Sequence, residues 1–176
     1  MTRTRTSTRR IVAGVATALV LAGGAVAFDA EDVRLRAPGA DDRLLKTLEN
    51  ASLVKQTVAD ERTAPDELLA AARAEYRRLL GTLYGEGYYN PVITVRIDGR
   101  EAADVSPLDV PARIDRIDIE VKPGRPFTFS RAEVTPLAPG TELPEGFRVG
   151  ETARVGTIQR AAAAGVAGWR ALGHAK

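Results

Sequence analysis

Residues 75–97, EYRRLLGTLYGEGYYNPVITVRI, decide the fold because the spacing of the apolar residues changes within them. Before Gly85 the apolar residues recur at every third or fourth position, as they do on one face of an α-helix. After Pro91 they recur at every second position, as they do on one face of a β-strand. The sequence therefore predicts a helix that leads directly into a strand at Val92–Ile97.

The predicted helix begins upstream of this junction. Thr63 and Asp66 resemble a capping box, and Pro65 suits the first turn of a helix. Gly85 and Gly87 predict its C-terminal end, because glycine accepts the left-handed conformation that is common there. Its charged residues are predicted to lie off the apolar face: Arg73, Glu75, Arg77 and Arg78. The apolar face is predicted to consist of Leu69, Ala72, Tyr76, Leu79, Leu80 and Leu83.

A strand and a shorter helix are predicted ahead of this long helix. Val33–Arg36 alternates apolar and basic residues and is followed by the turn signal Pro38-Gly39. Asp41 is a predicted N-cap, and a polar break is predicted at residues 57–62. Between them, apolar residues recur at helical spacing: Leu44, Leu45 and Leu48, with Val54 beyond.

A second strand is predicted after the junction, at residues 114–121. Asp98-Gly99 is a turn signal, and residues 100–111 are predicted to be a loop. The alternation in the second strand predicts one buried and one solvated face. The order strand, helix, helix, strand, strand predicts an α+β fold, in which a three-stranded mixed sheet carries two helices on one face.

The pattern then begins again, with a short strand at residues 127–129, a Pro/Gly-rich connection at residues 136–146 and another long helix. An offset of 86 residues matches six positions of the two long helices. Leu69, Ala72, Tyr76, Leu80, Leu83 and Gly87 correspond to Val155, Ile158, Ala162, Val166, Trp169 and Gly173. This match predicts a tandem repeat, and two unrelated amphipathic helices in phase by chance are the alternative.

The predicted organisation is a signal peptide at residues 1–27, a first domain at residues 28–122 and a second, incomplete domain at residues 123–176. The second unit is predicted to be truncated, because no sequence follows its helix to supply two further strands. We expect either that the chain is a fragment of a longer protein, which we favour, or that the second unit is not a stable fold by itself.

The N-terminus has the three parts of a secretory signal peptide. Four arginines without an acidic residue are followed by an apolar run at residues 11–24. Ala25 and Ala27 then form the small-x-small pattern that predicts cleavage before Phe28. An uncleaved membrane anchor is the alternative, and Arg9-Arg10 also suggests the twin-arginine route, although general secretion fits the following residues better.

Removal of the signal peptide changes the charge of the chain. The full sequence has 25 basic and 23 acidic residues, and without the four N-terminal arginines the balance is 21 to 23. A nucleic-acid-binding protein usually has a net basic surface, so we expect no nucleic-acid partner. The absence of cysteine excludes a disulfide, a thiolate metal site and a lipid attached to a cysteine.

No pattern in the sequence predicts catalysis, a cofactor or a metal. The single histidine, His174, follows a helix-ending glycine, and no serine has a nucleophile-elbow context. Asp115, Asp118 and Glu120 could form a metal or acid–base cluster, but on an alternating strand Asp118 and Glu120 form the solvent face. Gly85 and Gly87 follow a helix rather than precede one, unlike a phosphate-binding loop. We expect that the protein is not an enzyme.

The βααββ order and the helix-to-strand passage at residues 75–93 resemble the POTRA (polypeptide-transport-associated) domain. More narrowly, four motifs resemble the N-terminal region of the TamA family of autotransporter assembly factors in the BamA-like superfamily: YGEGYY at residues 84–89, DGREA at 98–102, PGRPF at 123–127 and GWRALGHAK at 168–176. This resemblance implies tandem POTRA units in the periplasm, followed in the full-length protein by a β-barrel in the outer membrane.

The resemblance also implies that the strand after the second helix is an exposed sheet edge at which polypeptides bind. Its residues are Val92, Ile93, Thr94, Val95, Arg96 and Ile97. The implied partners are unfolded outer-membrane or autotransporter client polypeptides, and an inner-membrane partner assembly protein is a further candidate. If the Thr94 N–H is donated to the client, a proline at residue 94 is expected to abolish binding. A structural spacer that binds nothing is the alternative.

Overall fold

The computed structural model describes residues 28–174, so the predicted signal peptide and the cleavage-site residues Ala25 and Ala27 lie outside the described part of the chain. The fold is α+β. The helices are α1 (Asp42–Ala51), α2 (Leu53–Ala59), α3 (Pro65–Gly85) and α4 (Val155–Ala171). The strands are β1 (Val33–Arg36), β2 (Val92–Ile97), β3 (Arg100–Glu101) and β4 (Ile117–Lys122).

The sheet has the strand order β1-β4-β2-β3. β4 pairs with β1 in parallel and with β2 antiparallel, so the mixed sheet is as predicted. The prediction of three strands is wrong, because Arg100 and Glu101 form a fourth strand where a loop was expected. Asp98 and Gly99 have φ of 48° and 84°, and two such residues form the tight turn that returns the chain directly beside β2.

Three helices, rather than the two predicted, pack on the apolar face of the sheet in the first unit. The first predicted helix is broken at Ser52, which ends α1 and caps α2 through a 3.2 Å hydrogen bond from the Lys55 N–H. The polar break predicted at residues 57–62 comes later, because α2 continues to Ala59 and buries Thr57. The predicted N-cap is confirmed: Asp41 accepts a 2.7 Å hydrogen bond from the Leu44 N–H.

α3 departs from its prediction in two places. Its N-cap is Ala64, which makes no side-chain cap, so the predicted Thr63–Asp66 capping box is wrong, although Pro65 does lie in the first turn. Glu75 was expected off the apolar face and is instead fully buried. Its Oε2 accepts hydrogen bonds from the N–H groups of Leu53 and Val54, at 2.7 and 3.2 Å, so the carboxylate joins α3 to the start of α2.

The contiguous hydrophobic core lies in the first unit. Its largest fully buried side chains are leucines of α1 and α3 and isoleucines of β4: Leu44, Leu48, Leu68, Leu69, Leu79, Leu83, Ile117 and Ile119. The strand predicted at residues 114–121 is β4, which begins three residues later, at Ile117. Its predicted alternation is confirmed, because Ile117, Ile119 and Val121 are buried while Asp118 and Glu120 between them are half-buried on the opposite face.

In the second unit, α4 does not bury the face that its periodicity predicts. Ile158 and Val166 of that face are 42% and 48% exposed. α4 instead buries Thr157, Ala161 and Gly165. A Cβ on Gly165 would lie 2.8 Å from Val134 Cγ1, so the missing side chain lets the connection before α4 approach the helix closely. The strand predicted at residues 127–129 is reduced to one antiparallel bridge, between Thr128 and Thr152.

A candidate polypeptide-binding edge

The register of β2 determines which of its main-chain groups are available to a partner. The Asp98 N–H donates to the Arg116 carbonyl oxygen on the β4 side of the sheet, at 3.0 Å. Because hydrogen-bonding direction alternates along an antiparallel strand, Thr94 and Arg96 also direct their N–H and C=O groups to β4. Ile93, Val95 and Ile97 direct theirs away from β4. The N–H of Thr94 therefore faces the interior of the sheet.

The short strand β3 covers the second half of β2. Arg96 pairs with Glu101, and Ile97 pairs with Arg100. Of the predicted edge residues, Arg96 and Ile97 therefore lie between two strands. The remaining part, residues 92–95, has a strand only on its β4 side, and we call it the open half of β2.

Val95, in the open half, has both outward main-chain groups bonded to side chains. Glu101 Oε1 accepts the Val95 N–H at 3.2 Å, and the Tyr76 hydroxyl lies 3.1 Å from the Val95 carbonyl oxygen. The same hydroxyl also makes a short hydrogen bond with Glu101 Oε1. Together the two side chains offer Val95 the acceptor and donor that a neighbouring strand would offer, and we call them the Tyr76–Glu101 clasp.

The environment of the clasp keeps the tyrosine protonated. Burial, together with the hydrogen bond and negative charge of Glu101, raises the pKa of Tyr76 to about 12. The hydroxyl has one proton, so it donates at any moment either to Glu101 or to the Val95 carbonyl. It remains a donor throughout the physiological pH range.

Ile93 is the position at which the open half of β2 is unpaired. Its outward N–H and C=O groups have no hydrogen-bond partner between residues 28 and 174. The Ile93 side chain is half-buried against the core, whereas the neighbouring Val92 is 59% exposed. The free main-chain groups are therefore held on a fixed, packed strand.

The opposite edge of the sheet, β1, has a different character. Its outer side has no strand partner among the described residues, and its solvent-facing positions are both arginine, Arg34 and Arg36. A short strand with exposed charges is a common way to discourage edge-to-edge pairing. The open half of β2 carries valine and threonine at the corresponding solvent-facing positions, so it is the less protected edge.

The strand at residues 92–97 was located correctly in the sequence, but it is not an open edge at Arg96 and Ile97, and the side chains that bond to Val95 were missed. Tyr76 was assigned to the core, and Glu101 was placed in a loop. The Asp98-Gly99 turn was the available signal, since a two-residue turn places Glu101 beside Arg96. The contact of Tyr76 with this edge depends on tertiary packing, which periodicity does not report.

The other candidate residues do not lie on the outer side of β2, because Asp118 and Glu120 belong to β4 and lie opposite Arg96 and Thr94. Asp118 pairs with Arg116 at 2.8 Å, and Glu120 pairs with Lys122 at 3.0 Å. His174 is exposed and lies edge-on to the Trp169 ring. Within residues 28–174, no three potential metal-binding side chains of His, Cys, Asp or Glu come together, and no helix is long and apolar enough to cross a membrane.

Comparisons with family models, curated proteins and solved structures found no match to this chain. The resemblance to POTRA domains and to the TamA family therefore stays a prediction. The α+β fold with its mixed sheet rests on the structure itself.

Proposed function

We propose that this chain is a periplasmic polypeptide-binding module of an outer-membrane protein assembly factor, and that it binds unfolded clients by strand addition at the open half of β2. The observation that carries the proposal is the unpaired pair of main-chain groups at Ile93. An extended polypeptide can accept and donate hydrogen bonds there regardless of its sequence. This tolerance suits a module that handles many different clients.

The test uses proline substitutions at neighbouring positions. Ile93→Pro removes the outward N–H and leaves the ladder to β4 intact, since residue 93 does not donate to that ladder. Thr94→Pro removes an N–H that faces β4 and is expected to destabilise the sheet. We expect Ile93→Pro to lose binding of an unfolded outer-membrane client peptide while it keeps its circular dichroism spectrum.

Ile93→Val is the matched control, because it shortens the same side chain and keeps the N–H. We expect it to bind the peptide like the unchanged chain in fluorescence anisotropy. Full binding by a folded Ile93→Pro variant would contradict strand addition at this edge.

A second candidate function is a structural spacer that holds a downstream domain at a fixed distance, and the junction between the two units favours it. The Phe127 N–H donates to the Gly87 carbonyl oxygen at 2.9 Å, and the Tyr89 hydroxyl donates to the Ala153 carbonyl oxygen at 2.5 Å. The side chains of Tyr89 and Phe127 pack edge to face, with ring centroids 5.6 Å apart. A spacer requires such a junction and does not require the free groups at Ile93, so the proline test separates the two functions.

A further inference from the structure

The pairing of β4 determines which main-chain groups of β1 are available on the outer side of the sheet. Asp118 and Glu120 of β4 bond to β2, so Ile119 between them directs its N–H and C=O groups to β1. In a parallel pair, such a residue bonds to the two neighbours of the residue opposite it. Ile119 lies opposite Leu35, so Leu35 directs its own N–H and C=O groups away from β4.

Leu35 is therefore the open position of this edge. Neither of its outward groups has a hydrogen-bond partner between residues 28 and 174. The N–H of Val33, the other outward residue of β1, is already donated to the Ala30 carbonyl oxygen. The Leu35 side chain packs against the core, so the free groups belong to a strand that is held in place.

Two arginines flank Leu35 on the solvent face of the sheet. Arg34 and Arg36 are exposed, whereas the side chain of Leu35 between them lies on the core face. The carboxylates opposite them, of Asp118 and Glu120, each pair with another basic residue, at 2.8 and 3.0 Å. Arg34 and Arg36 themselves make no ion pair in the described part of the chain. We call Arg34, Leu35 and Arg36 the arginine edge.

The charge of this part of the sheet is opposite to that of the chain without its four N-terminal arginines, which has 21 basic and 23 acidic residues. Four arginines and two acidic residues line the shallow surface that β1 shares with β4 and β2. Acidic side chains on an approaching segment are therefore favoured, and basic ones are repelled.

The spacing of the two arginines indicates an extended partner. Alternate residues of a strand lie about 6.6–6.8 Å apart, and a strand added beside β1 has the same repeat. Directly opposite residues bring their Cβ atoms to within about 4.5–5.5 Å. Two acidic residues separated by one apolar residue would thus face Arg34 and Arg36, with the apolar residue beside Leu35. The match holds for either direction of the added strand.

We propose that the arginine edge binds a second extended polypeptide segment with the pattern acidic–apolar–acidic. The segment exchanges main-chain hydrogen bonds with Leu35 and places its carboxylates against Arg34 and Arg36. The same arginines that discourage apolar or basic strands from pairing here select an acidic one. This site lies at the opposite edge of the sheet from the open half of β2 and does not depend on it.

Peptides of opposite charge test the selection. A labelled peptide of about eight residues that alternates valine and glutamate is titrated with the full chain in fluorescence anisotropy and is expected to bind and saturate. The corresponding valine–lysine peptide is expected to bind more weakly by about fivefold or more. Raising the salt concentration to about 1 M is expected to reduce this difference, because exposed charges are screened.

Proline substitution locates the main-chain contact. Leu35→Pro removes the outward N–H and leaves the ladder to β4 intact, since residue 35 does not donate to that ladder. It is expected to weaken binding of the valine–glutamate peptide by about fivefold or more and to keep its circular dichroism spectrum. Leu35→Val keeps the N–H and is the matched control. Both variants are also made together with Ile93→Pro, so that binding at the open half of β2 is measured separately.

Charge removal tests the arginines without altering the main chain. The double variant Arg34→Gln/Arg36→Gln is expected to reduce the preference for the valine–glutamate peptide to about twofold or less. The double variant Arg77→Gln/Arg125→Gln removes two exposed arginines elsewhere, on α3 and after β4, and is expected to keep the preference.

Three results would overturn the proposal. The first is equal binding of the two peptides by the unchanged chain. The second is an equal loss of preference in the two double variants, which would make the net charge of the chain responsible. The third is binding to phosphatidylglycerol vesicles and none to the peptide, which would make an anionic membrane the occupant.

Discussion

Tyr76 on α3 and Glu101 on β3, 25 residues apart in the sequence, meet beside β2 and together bond to both outward main-chain groups of Val95. A client strand that pairs along the whole open half of β2 must displace these two side chains. The clasp therefore limits how much of the edge is immediately available, and Ile93 remains as the free position.

Opening the clasp is expected to strengthen peptide binding at β2. Glu101→Ala frees the Val95 N–H, and Tyr76→Phe frees the Val95 carbonyl. Each variant is expected to lose about 1 kcal/mol of unfolding free energy and to bind an unfolded client peptide more tightly in fluorescence anisotropy. Asp104→Ala removes an exposed acidic group nearby and is the charge-matched control. Weaker binding by both clasp variants would show that the clasp does not compete with the client.

Glu75 is expected to stabilise the fold as an acceptor rather than as a charge. Glu75→Ala leaves the buried N–H groups of Leu53 and Val54 without their acceptor and creates a cavity, at a cost of about 2–4 kcal/mol. Glu75→Gln keeps an acceptor oxygen and is expected to cost much less. Urea denaturation of both variants measures the difference. An equal loss of unfolding free energy in Glu75→Ala and Glu75→Gln would mean that the negative charge itself is required.

Glu75 also gives the stability a defined pH dependence. Burial raises the pKa of Glu75 above its ordinary value of 4.5, although hydrogen bonds from Ser52, Val54 and Leu53 oppose the shift. Its Oε1 is buried and has no hydrogen-bond partner in the described residues, which also disfavours the charged form.

The folded state therefore holds the Glu75 proton at pH values where the unfolded chain has released it. As the pH rises from about 4.5 through the raised pKa, this residue contributes a fall in unfolding free energy. The stabilisation that comes from the raised pKa of Glu75 is fully present below the ordinary pKa of a glutamate and is lost as the pH rises. Chemical denaturation across this range is expected to show a smaller fall for Glu75→Gln than for the unchanged chain. Identical pH profiles would contradict the raised pKa.

Gly87 is expected to tolerate no side chain. Its φ is 89°, and a Cβ would lie 2.5 Å from Thr152 Cγ2 across the junction between the units. The backbone conformation alone costs Gly87→Ala about 1–2 kcal/mol, and the steric contact adds to this.

Gly81 offers the matched control for this substitution, because it lies within α3 and a Cβ there would meet nothing within 4 Å. Gly81→Ala is expected to stabilise the chain by about 0.5–1 kcal/mol. Limited proteolysis between residues 123 and 153 is expected to be faster for Gly87→Ala and unchanged for Gly81→Ala. Unchanged proteolysis of both would mean that the junction does not depend on Gly87.

The strands were predictable because their signal is local. Val92–Ile97 and the buried residues of β4 alternate clearly, and Asp98-Gly99 marks the turn between β2 and β3. The short strand β3 was missed because two residues are too few to show the alternation of apolar and polar residues that marks a strand. The sequence pattern therefore predicts the longer strands of the sheet and misses only β3.

The helices were predicted less well because their packing depends on distant partners. Glu75 has the polarity of a surface residue, and only the position of α2 explains its burial. The break at Ser52 interrupts a continuous helical period through one capping interaction. On α4, periodicity selected the large apolar residues, whereas the connection packs on Gly165 and Gly168, whose small size carries no hydrophobic signal. The sequence located the candidate site to the strand β2. It did not show that Tyr76 and Glu101 bond to the outward main-chain groups of Val95 and so leave fewer of them free for a partner.

The parallel pairing of β1 with β4 has a consequence for the order in which the chain acquires its structure. Among the described strands, β1 is the first along the chain and its sheet partner β4 is the last, since Val33 lies opposite Ile117. The helices and the β2–β3 hairpin can form before β1 pairs with β4, because their contacts are local. A first unit that has not yet acquired β4 therefore leaves β1 without its strand partner in the sheet.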